Sequence, residues 1–233
     1  MRVASYFDQV AKEYDNLAWD QDTAPGAKWA WQIIRSEVGC ASGLFIVDLG
    51  AGTGRTILNL IRFNPKARFL GVDFSEEMIR QARQKDYLPA SVDFQLSRID
   101  ELRLSPESVD VFTTFGTFHH IKNKRRVLEN LATMLKPGGK FVNADLFEPC
   151  EQYLSEMHEL RRQAPEATTE NDRVRESFQW VYDRDRSHPR EFHTDPYEFK
   201  SLLEEFGFHP TTVHVSLQPG FAVVAGQKSA EER

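Results

Sequence analysis

The stretch IVDLGAGTGRTILNLI, Ile46–Ile61, reads as a short apolar strand, three glycines at alternate positions and the start of an amphipathic helix. Glycine adopts backbone conformations that other residues avoid, and it lets a ligand approach the main chain closely. A strand buried on both faces of a parallel sheet is typically a nearly continuous apolar run. The stretch therefore predicts a buried strand followed by a loop against which a flat ligand lies.

Outside this stretch the apolar pattern alternates between strands and helices. Five strand segments are predicted at Gly43–Gly50, Ala67–Asp73, Ser91–Ser97, Ser108–Ile121 and Lys140–Phe147. Between them, Ser75 is the expected N-cap of one helix, and the KPGG segment Lys136–Gly139 is expected to end another. This order predicts an α/β fold with βαβ crossovers, a mostly parallel sheet and helices on both faces.

The C-terminal section adds one helix and two strands. Asp195 is the expected N-cap, with Pro196 at the first helical position and Glu198 completing a capping box. The segments Thr211–Leu217 and Phe221–Lys228 read as two strands joined by a short turn. We expect them to form an antiparallel pair at the edge of a sheet with seven strands in all.

Composition narrows the class of protein. The chain has 233 residues, of which 40% are hydrophobic, and a formal charge of −6 with mixed signs, which suits one domain and argues against a broad nucleic-acid-binding surface. The basic run KNKRR, Lys122–Arg126, is expected to be the solvated start of a helix. Cys40 and Cys150 offer neither a metal spacing nor a disulfide framework, and no apolar run approaches the ~18 residues of a membrane span. We expect a cytoplasmic protein without nucleic-acid or membrane partners; the oligomeric state stays open, a homodimer included.

Three classes of ligand are candidates for the glycine loop. A triphosphate-binding loop has Lys after its last glycine, whereas Gly54 is followed by Arg55. A dinucleotide loop has the pattern G-x-G-x-x-G, whereas Gly50, Gly52 and Gly54 are spaced G-x-G-x-G. The third class is a nucleoside cofactor without a phosphate chain, held by the backbone and by an acid on its ribose. Asp73, at the end of the second predicted strand, is placed for that ribose contact.

Taken together, these segments resemble class I S-adenosylmethionine (SAM)-dependent methyltransferases of the small-molecule type. The similar segments are the glycine motif Val47–Gly54, the ribose-binding segment Gly71–Arg83, the strand-four motif Val109–Ile121, the turn Met134–Val142 and the helix Leu202–Phe208. The resemblance implies a Rossmann-like fold, SAM as the cofactor and transfer of a methyl group to a small-molecule acceptor.

The resemblance also implies which residues hold the cofactor. Backbone at Gly50, Gly52 and Gly54 is expected to lie against the amino acid head and the sulfonium. Asp48 is expected to orient this loop or to bind the amino group through water. Asp73 is expected to accept hydrogen bonds from the ribose hydroxyls.

The adenine side departs from the family pattern at one position. Phe74 and Met78 are expected to flank the ring. Family members often carry Asp after the third strand, where this sequence has Arg98. Adenine recognition then falls to the backbone of Ile99 or to Asp100.

The N-terminal segment YFDQVAKEYDNLA, Tyr6–Ala18, resembles the amphipathic lid of many small-molecule methyltransferases. Residues 1–40 are therefore expected to form a helical lid that covers SAM and excludes water, with Tyr14 as its cofactor contact. The alternative is a helix that only packs on the sheet. Phe115, at the end of the fourth strand's apolar run, is a further expected cofactor contact.

The candidate catalytic residues follow the fourth and fifth strands. Histidine titrates near neutral pH, so His119 or His120 is a candidate general base; the alternative is a pair that shapes the pocket wall. Asp145 is a second candidate at the same edge, and its alternative role is to cap the segment that follows. Asn143 and Asp145 alone do not make a metal site, so no metal is expected.

Residues 148–193 are expected to form a helical substrate cover within a single domain, residues 1–233. Its candidate substrate contacts are Trp180, Tyr182, His188 and His193. Its arginines are Arg161, Arg162, Arg173, Arg175, Arg184, Arg186 and Arg190. These guanidinium groups favour an acidic acceptor, or they pair with nearby glutamates on helices.

The glycine loop does not by itself fix the reaction. One alternative is a SAM-modifying enzyme such as a carboxy-SAM synthase, which the Arg-rich segment would suit. Another is a non-catalytic module that binds SAM.

Overall fold

The computed structural model describes residues 3–17, 25–86, 88–164, 192–217 and 220–230. The helices in these ranges are α1 Val3–Val10, α2 Tyr14–Leu17, α3 Pro25–Val38, α4 Arg55–Ile61, α5 Glu76–Arg83, α6 Lys124–Met134, α7 Glu151–Gln163 and α8 Pro196–Glu205. The strands are β1 Phe45–Leu49, β2 Arg68–Asp73, β3 Val92–Leu96, β4 Val109–Phe115, β5 Leu135–Leu146, β6 Phe208–Val215 and β7 Phe221–Lys228. Within this part of the chain, no helix is long and apolar enough to cross a membrane.

The strands form one sheet in the order β3-β2-β1-β4-β5-β7-β6. Strands β1 to β5 pair in parallel, and β7 runs antiparallel to both β5 and β6. The predicted mostly parallel, seven-stranded sheet with an antiparallel C-terminal pair is confirmed. Strand order reverses between β1 and β4, and ligands of such sheets bind at the carboxyl ends of the strands beside this reversal.

Helices cover both faces of the sheet, as predicted. One apolar cluster packs side chains of α3 and α4 against one face, including Trp31, Ile34 and Ile57. The other packs α6 and α8 against the opposite face, including Leu128 and Phe199. Because both faces of the central strands are buried, polar side chains at their carboxyl ends are held in fixed positions.

The predicted N-caps are confirmed at both helices for which they were named. The Ser75 hydroxyl accepts from the Met78 amide at 3.1 Å. The Asp195 carboxylate accepts from the amides of Tyr197 and Glu198, each at 2.9 Å, with Pro196 in the first turn.

The KPGG segment Lys136–Gly139 differs from its prediction. Helix α6 ends at Met134 and β5 begins at Leu135, so KPGG lies inside the strand, where its register with β4 shifts. A Cβ at Gly139 would come within 2.9 Å of the Lys136 carbonyl oxygen. The glycines therefore shape a strand irregularity rather than a separate turn.

The basic run Lys122–Arg126 begins α6 as predicted, but its solvation differs at one residue. Lys122, Arg125 and Arg126 are exposed, whereas Lys124 is buried with 7% exposure. Burial of a lysine requires nearby acceptors for its ammonium, and the sequence run gives no sign of them.

Candidate functional site

The glycine loop after β1 has the backbone that the sequence predicts. Gly50, Gly52 and Gly54 all have positive φ angles, of 71°, 51° and 83°. A Cβ at Gly50 would come within 2.3 Å of the Thr117 hydroxyl oxygen. The loop therefore excludes side chains for two reasons, its backbone conformation and the packing of Thr117.

Asp73, at the carboxyl end of β2, is bonded to this loop. Its Oδ2 accepts from the Gly52 amide at 2.8 Å, and its Oδ1 accepts from the Ser75 amide at 2.9 Å. Burial raises the pKa of Asp73 above its usual value, although these backbone bonds oppose the shift. Each carboxylate oxygen has a second lone pair, so the bonds to the loop leave acceptor capacity for hydroxyl donors.

Asp48, inside β1, is fully buried. Its Oδ1 accepts from the Thr113 hydroxyl at 3.1 Å, whereas its Oδ2 has no hydrogen-bond partner among the described residues. Burial raises the pKa of Asp48 to about 8. A buried carboxyl group beside the glycine loop can accept from an ammonium group, and a bound cation favours its ionised form, so these residues fit the amino acid head of SAM.

The residues expected around adenine lie at the start of α5 and after β3. Met78 and Ile99 are buried, and the Phe74 ring packs edge-on against the Phe7 ring with centroids 6.0 Å apart. Asp100, the alternative contact, forms a two-point ion pair with Arg98 at 2.9 and 3.1 Å. The Asp100 carboxylate is thus paired with Arg98, the residue that stands where family members often carry Asp.

Phe115 lies in the core on the α3 face of the sheet. Its ring stacks on Trp31 with centroids 5.0 Å apart and an interplanar angle of 17°, and it packs against Phe221 at 5.8 Å. These contacts place the Phe115 ring in an apolar cluster.

The segment containing α1 and α2 lies over the glycine loop. Tyr14 packs beside Gly52, and burial, together with the charge of Asp73, raises the pKa of Tyr14 to about 12. Asp15 accepts from the Thr53 hydroxyl at 2.5 Å and pairs with Lys85 at 2.8 Å.

A second contact fixes α1 to the start of α5. The Asp8 carboxylate accepts from the Ser75 hydroxyl at 2.6 Å. This segment is therefore fastened to both the loop after β1 and the loop after β2.

The turn after β4 brings His119 to Asp145. The His119 Nδ1 lies 2.5 Å from Asp145 Oδ1, and the His119 amide donates to Asp145 Oδ2 at 3.1 Å. Both side chains are buried. Burial opposes ionisation of Asp145, but the His119 contact and the Leu146 amide together hold its pKa below the usual range. Asp145 thus caps Leu146 and orients His119 at once.

Two further imidazoles flank His119. The His193 ring lies parallel to it, with centroids 5.6 Å apart and an interplanar angle of 5°. The centroid of the His120 ring lies 3.9 Å from that of His119, with an interplanar angle of 51°, and the Phe7 ring of α1 packs edge-on against His120 with centroids 5.6 Å apart. The structure therefore brings together His119, His120, Asp145 and His193.

The other expected substrate contacts, Trp180, Tyr182 and His188, lie outside the described residues. So do Arg173, Arg175, Arg184, Arg186 and Arg190. Of the described arginines, Arg161 donates to the Leu217 carbonyl at 3.0 Å and Arg162 pairs with Glu159. Across the described ranges, no group of three or more His, Cys, Asp or Glu side chains is placed to hold a metal ion.

Sequence reasoning missed Thr117, Asp15 and Lys124 as parts of this site. Thr117 lies two positions before His119, and Asp15 directly follows Tyr14. Because His119 and Tyr14 were already candidates, their positions could have pointed to Thr117 and Asp15. Lys124 gave no such signal, because its acceptor on residue 192 is far away in the sequence.

A family model described as a methyltransferase domain matches residues 41–205. The ubiquinone/menaquinone biosynthesis C-methyltransferase UbiE of Vibrio cholerae is 24% identical over 226 residues, which cover 91% of this chain and 82% of that protein. The demethylmenaquinone methyltransferase of Symbiobacterium thermophilum is 25% identical over 158 residues, which cover 65% of this chain and 62% of that protein.

A solved structure has the same fold. It is the Haemonchus contortus phosphoethanolamine N-methyltransferase 2 in complex with phosphomonomethylethanolamine and S-adenosylhomocysteine, with a TM-score of 0.67 and 16% identity. The superposition covers 97% of this chain and 58% of that one. This chain thus spans less than two thirds of the length of two of these three proteins.

Proposed function

Since this chain belongs to the methyltransferase-domain family of class I SAM-dependent methyltransferases, we propose that its acceptor is a small molecule whose nucleophile must lose a proton. The predicted family, enzyme class and SAM cofactor are confirmed by the family match. What remains to be assigned is the acceptor side of the site. We propose His119 as the general base and Asp145 as the residue that orients it.

The observation that carries this proposal is the buried contact between His119 Nδ1 and Asp145 Oδ1 at 2.5 Å. A carboxylate at Nδ1 selects the tautomer with its proton on that nitrogen, which leaves Nε2 as the proton acceptor. The lowered pKa of Asp145 keeps the carboxylate ionised at neutral pH, so it also stabilises the imidazolium that forms after proton removal.

The donor side would be held by the residues around the glycine loop. Bound SAM supplies a methyl group on a sulfonium. In our proposal, Asp73 accepts from the ribose hydroxyls, the Asp48 carboxyl faces the ammonium head, and Phe74, Met78 and Ile99 border the adenine. Residues 1–40 act as the lid of a single domain, and alignment of the two reacting groups supplies much of the rate enhancement.

We propose a hydroxylated aromatic ring as the acceptor class. The names of two relatives, a demethylmenaquinone methyltransferase and a ubiquinone/menaquinone C-methyltransferase, support such an acceptor. A hydroquinone carbon becomes nucleophilic when a ring hydroxyl is deprotonated, which is the step that His119 would serve. The described Arg161 and Arg162 are held in local contacts and give an acidic acceptor no support.

The test is turnover with a panel of acceptors. Purified protein and SAM are mixed with a reduced short-chain 2-prenyl-1,4-naphthoquinone, a simple catechol, a primary amine and an aromatic carboxylate. Formation of S-adenosylhomocysteine and a methylated product is followed by mass spectrometry. We expect product with the hydroquinone or the catechol and none with the amine. Methylation of the amine alone would overturn the proposal.

The two alternative functions are separated by two further measurements. Mass spectrometry of ligand retained through purification identifies a carboxylated cofactor if the protein is a carboxy-SAM synthase. Calorimetry with the Asp73→Ala variant tests the donor site independently of any acceptor. Tight SAM binding that depends on Asp73, with no turnover of any nucleophile, would favour a non-catalytic module.

A further inference from the structure

Lys124 is a buried cation at the first position of α6. Its ammonium donates to the Ile121 carbonyl at 2.9 Å and to the Phe192 carbonyl. Its neighbours Lys122 and Arg125 are exposed. A buried lysine loses the hydration of its ammonium group, and hydrogen-bond acceptors must replace it. The structure around Lys124 must therefore supply such acceptors.

The Phe192 carbonyl belongs to residues 192–194, which we call the strap. The Phe192 amide donates to the His119 carbonyl at 2.6 Å. The Thr194 carbonyl accepts from the Glu148 amide at 3.0 Å, and His193 Nδ1 lies 3.2 Å from the Leu146 carbonyl. The strap is therefore bonded at one end to the turn that carries His119 and at the other to the end of β5.

These bonds place the His193 ring in parallel contact with the His119 ring. Asp145 fixes His119 through one edge of its ring, at Nδ1. A hydrogen bond in the plane of the ring does little to restrain tilting of the His119 ring. The strap supplies His193, whose ring stacks parallel to that of His119. The bond to Asp145 and the neighbouring His120 ring restrain His119 already, and the strap adds the contact with the His193 ring.

The charges around Lys124 match this arrangement. Burial lowers the pKa of Lys124, and the carboxylates of Asp145 and Glu198 oppose that shift. The ammonium thus lies in the field of the same carboxylate that orients His119. Lys124 is hydrogen-bonded to two elements, the turn after β4 and the strap, and its charge is close enough to interact with Asp145 at the end of β5.

We propose that Lys124 is a positioning residue for the acceptor side of the site: its ammonium holds the strap against the His119 turn, so that His193 fixes the plane of the His119 ring. The proposal deepens the proposed function and rests on it for the role of His119. It predicts a loss of rate without a loss of cofactor affinity, because the glycine loop and Asp73 do not touch the strap in the described contacts.

The test compares Lys124→Met with Lys124→Gln and with the matched control Lys122→Met. Lys124→Met removes the donor, Lys124→Gln keeps an uncharged one, and Lys122→Met changes an exposed lysine of the same run. Three readouts are needed: hydrogen exchange of the strap amides, affinity for S-adenosylhomocysteine by calorimetry, and kcat and KM with the acceptor found in the panel. His193→Ala is measured as well, since it removes the ring and leaves the strap backbone.

For Lys124→Met we expect exchange of the Phe192 amide to rise at least about tenfold and kcat to fall about tenfold, with S-adenosylhomocysteine affinity unchanged. Lys124→Gln should lie between Lys124→Met and wild type, and Lys122→Met should match wild type. His193→Ala should lower kcat with a smaller rise in Phe192 exchange than Lys124→Met, because it removes only the bond to the Leu146 carbonyl. Unchanged exchange in Lys124→Met, or equal kcat in Lys124→Met and Lys122→Met, overturns the proposal.

A parallel loss of S-adenosylhomocysteine affinity also overturns it, because that indicates general damage to the fold. If Lys124→Met does not fold, Lys124→Gln is judged by the same criteria. If no acceptor is methylated, the proposed function is wrong, and this result is separate from the test of Lys124. The exchange and affinity measurements then still decide whether Lys124 holds the strap.

Discussion

The donor half of the site and the acceptor half are built in different ways. The proposed donor half, comprising the glycine loop, Asp48 and Asp73, comes from the adjacent strands β1 and β2 and the loop after β1, and the bond from Gly52 to Asp73 spans 21 positions. The acceptor half, comprising the His119 turn, Asp145 and the strap, depends on a bond from Lys124 to Phe192 that spans 68 positions. The first is encoded in short motifs, whereas the second exists only after distant parts of the chain have met.

The strongest way to break the donor half is Gly50→Ala. The new Cβ would overlap the Thr117 side chain, and a positive φ costs a non-glycine residue about 1–2 kcal/mol. We expect SAM affinity to fall by at least roughly 100-fold, which is about 2.7 kcal/mol. Calorimetry measures the affinity, and chemical denaturation measures the free energy of unfolding.

The matched control for Gly50→Ala is Gly39→Ala. Gly39 also has a positive φ, of 75°, but a Cβ there would meet nothing within 4 Å. It should lose stability from backbone strain and keep SAM binding. Equal SAM affinity in the two variants would show that the loop is not the donor site.

Asp145→Asn should break the acceptor half and spare the donor half. Loss of the oriented base should lower kcat by roughly 100-fold or more, with SAM affinity unchanged. Loss of the buried carboxylate, which is bonded to His119 and to the Leu146 amide, should also lower the free energy of unfolding by about 1.5–3 kcal/mol. Steady-state kinetics and calorimetry on the same preparation give both values, and a parallel loss of SAM affinity would contradict the division into halves.

The stability of wild type relative to Asp145→Asn should vary with pH in a defined direction. The folded pKa of Asp145 is depressed, so its contribution is present above the unfolded value of about 3.9 and is lost as pH falls through the lower folded value. Chemical denaturation at pH 7 and in acid measures the free energy of unfolding of both proteins. The difference in this free energy between them should become smaller only in acid. A difference that shrinks between pH 7 and 5 instead would contradict this assignment.

Asp48→Asn should change how the stability of the protein depends on pH, in the direction opposite to Asp145→Asn. The folded pKa of Asp48 is raised to about 8, so the folded state holds a proton that the unfolded state releases above about pH 3.9. Wild-type stability should therefore fall as pH rises towards 8, by up to about 1.4 kcal/mol per unit, and Asp48→Asn should lack this slope. Asp93→Asn, on the exposed edge strand β3, controls for the loss of a carboxylate; equal slopes in wild type and Asp48→Asn would refute the buried neutral acid.

The smallest effect is expected at the lid. Asp15→Asn weakens a partly exposed ion pair with Lys85, and such pairs are worth about 0.2–1 kcal/mol. SAM should dissociate about two- to fivefold faster, as stopped-flow fluorescence can measure. Glu13→Gln, an exposed neighbour, should leave the rate unchanged. Equal rates in the two variants would mean that Asp15 does not fasten the lid.

The difference between the halves also explains how far the sequence alone could predict the structure. Gly50, Gly52, Gly54 and Asp73 were predictable because strand periodicity and glycine spacing fix where each loop emerges. The mostly parallel sheet follows from the alternation of strands and helices, and the antiparallel pair from the two C-terminal strands joined by a short turn. These features depend on local patterns that survive in an isolated sequence. The order of the strands in the sheet was not predicted.

Long-range features could not be predicted in that way. Lys124 was expected in water because nothing near it in the sequence indicates that Phe192 accepts from it. The pairing of His119 with Asp145 needed the register of β4 and β5, although both residues were candidates. The stacking of Phe115 on Trp31 depends on where α3 packs on the sheet, and its expected contact with the cofactor stays a prediction.

One aromatic ring of the lid touches both halves. Phe7 packs against Phe74 on one side and against His120 on the other. If α1 moves as the proposed lid, it uncovers both compartments together, and the two reactants and the two products would share a single gate. Whenever that gate opens more slowly than the methyl group moves, chemically different acceptors should reach the same maximal rate.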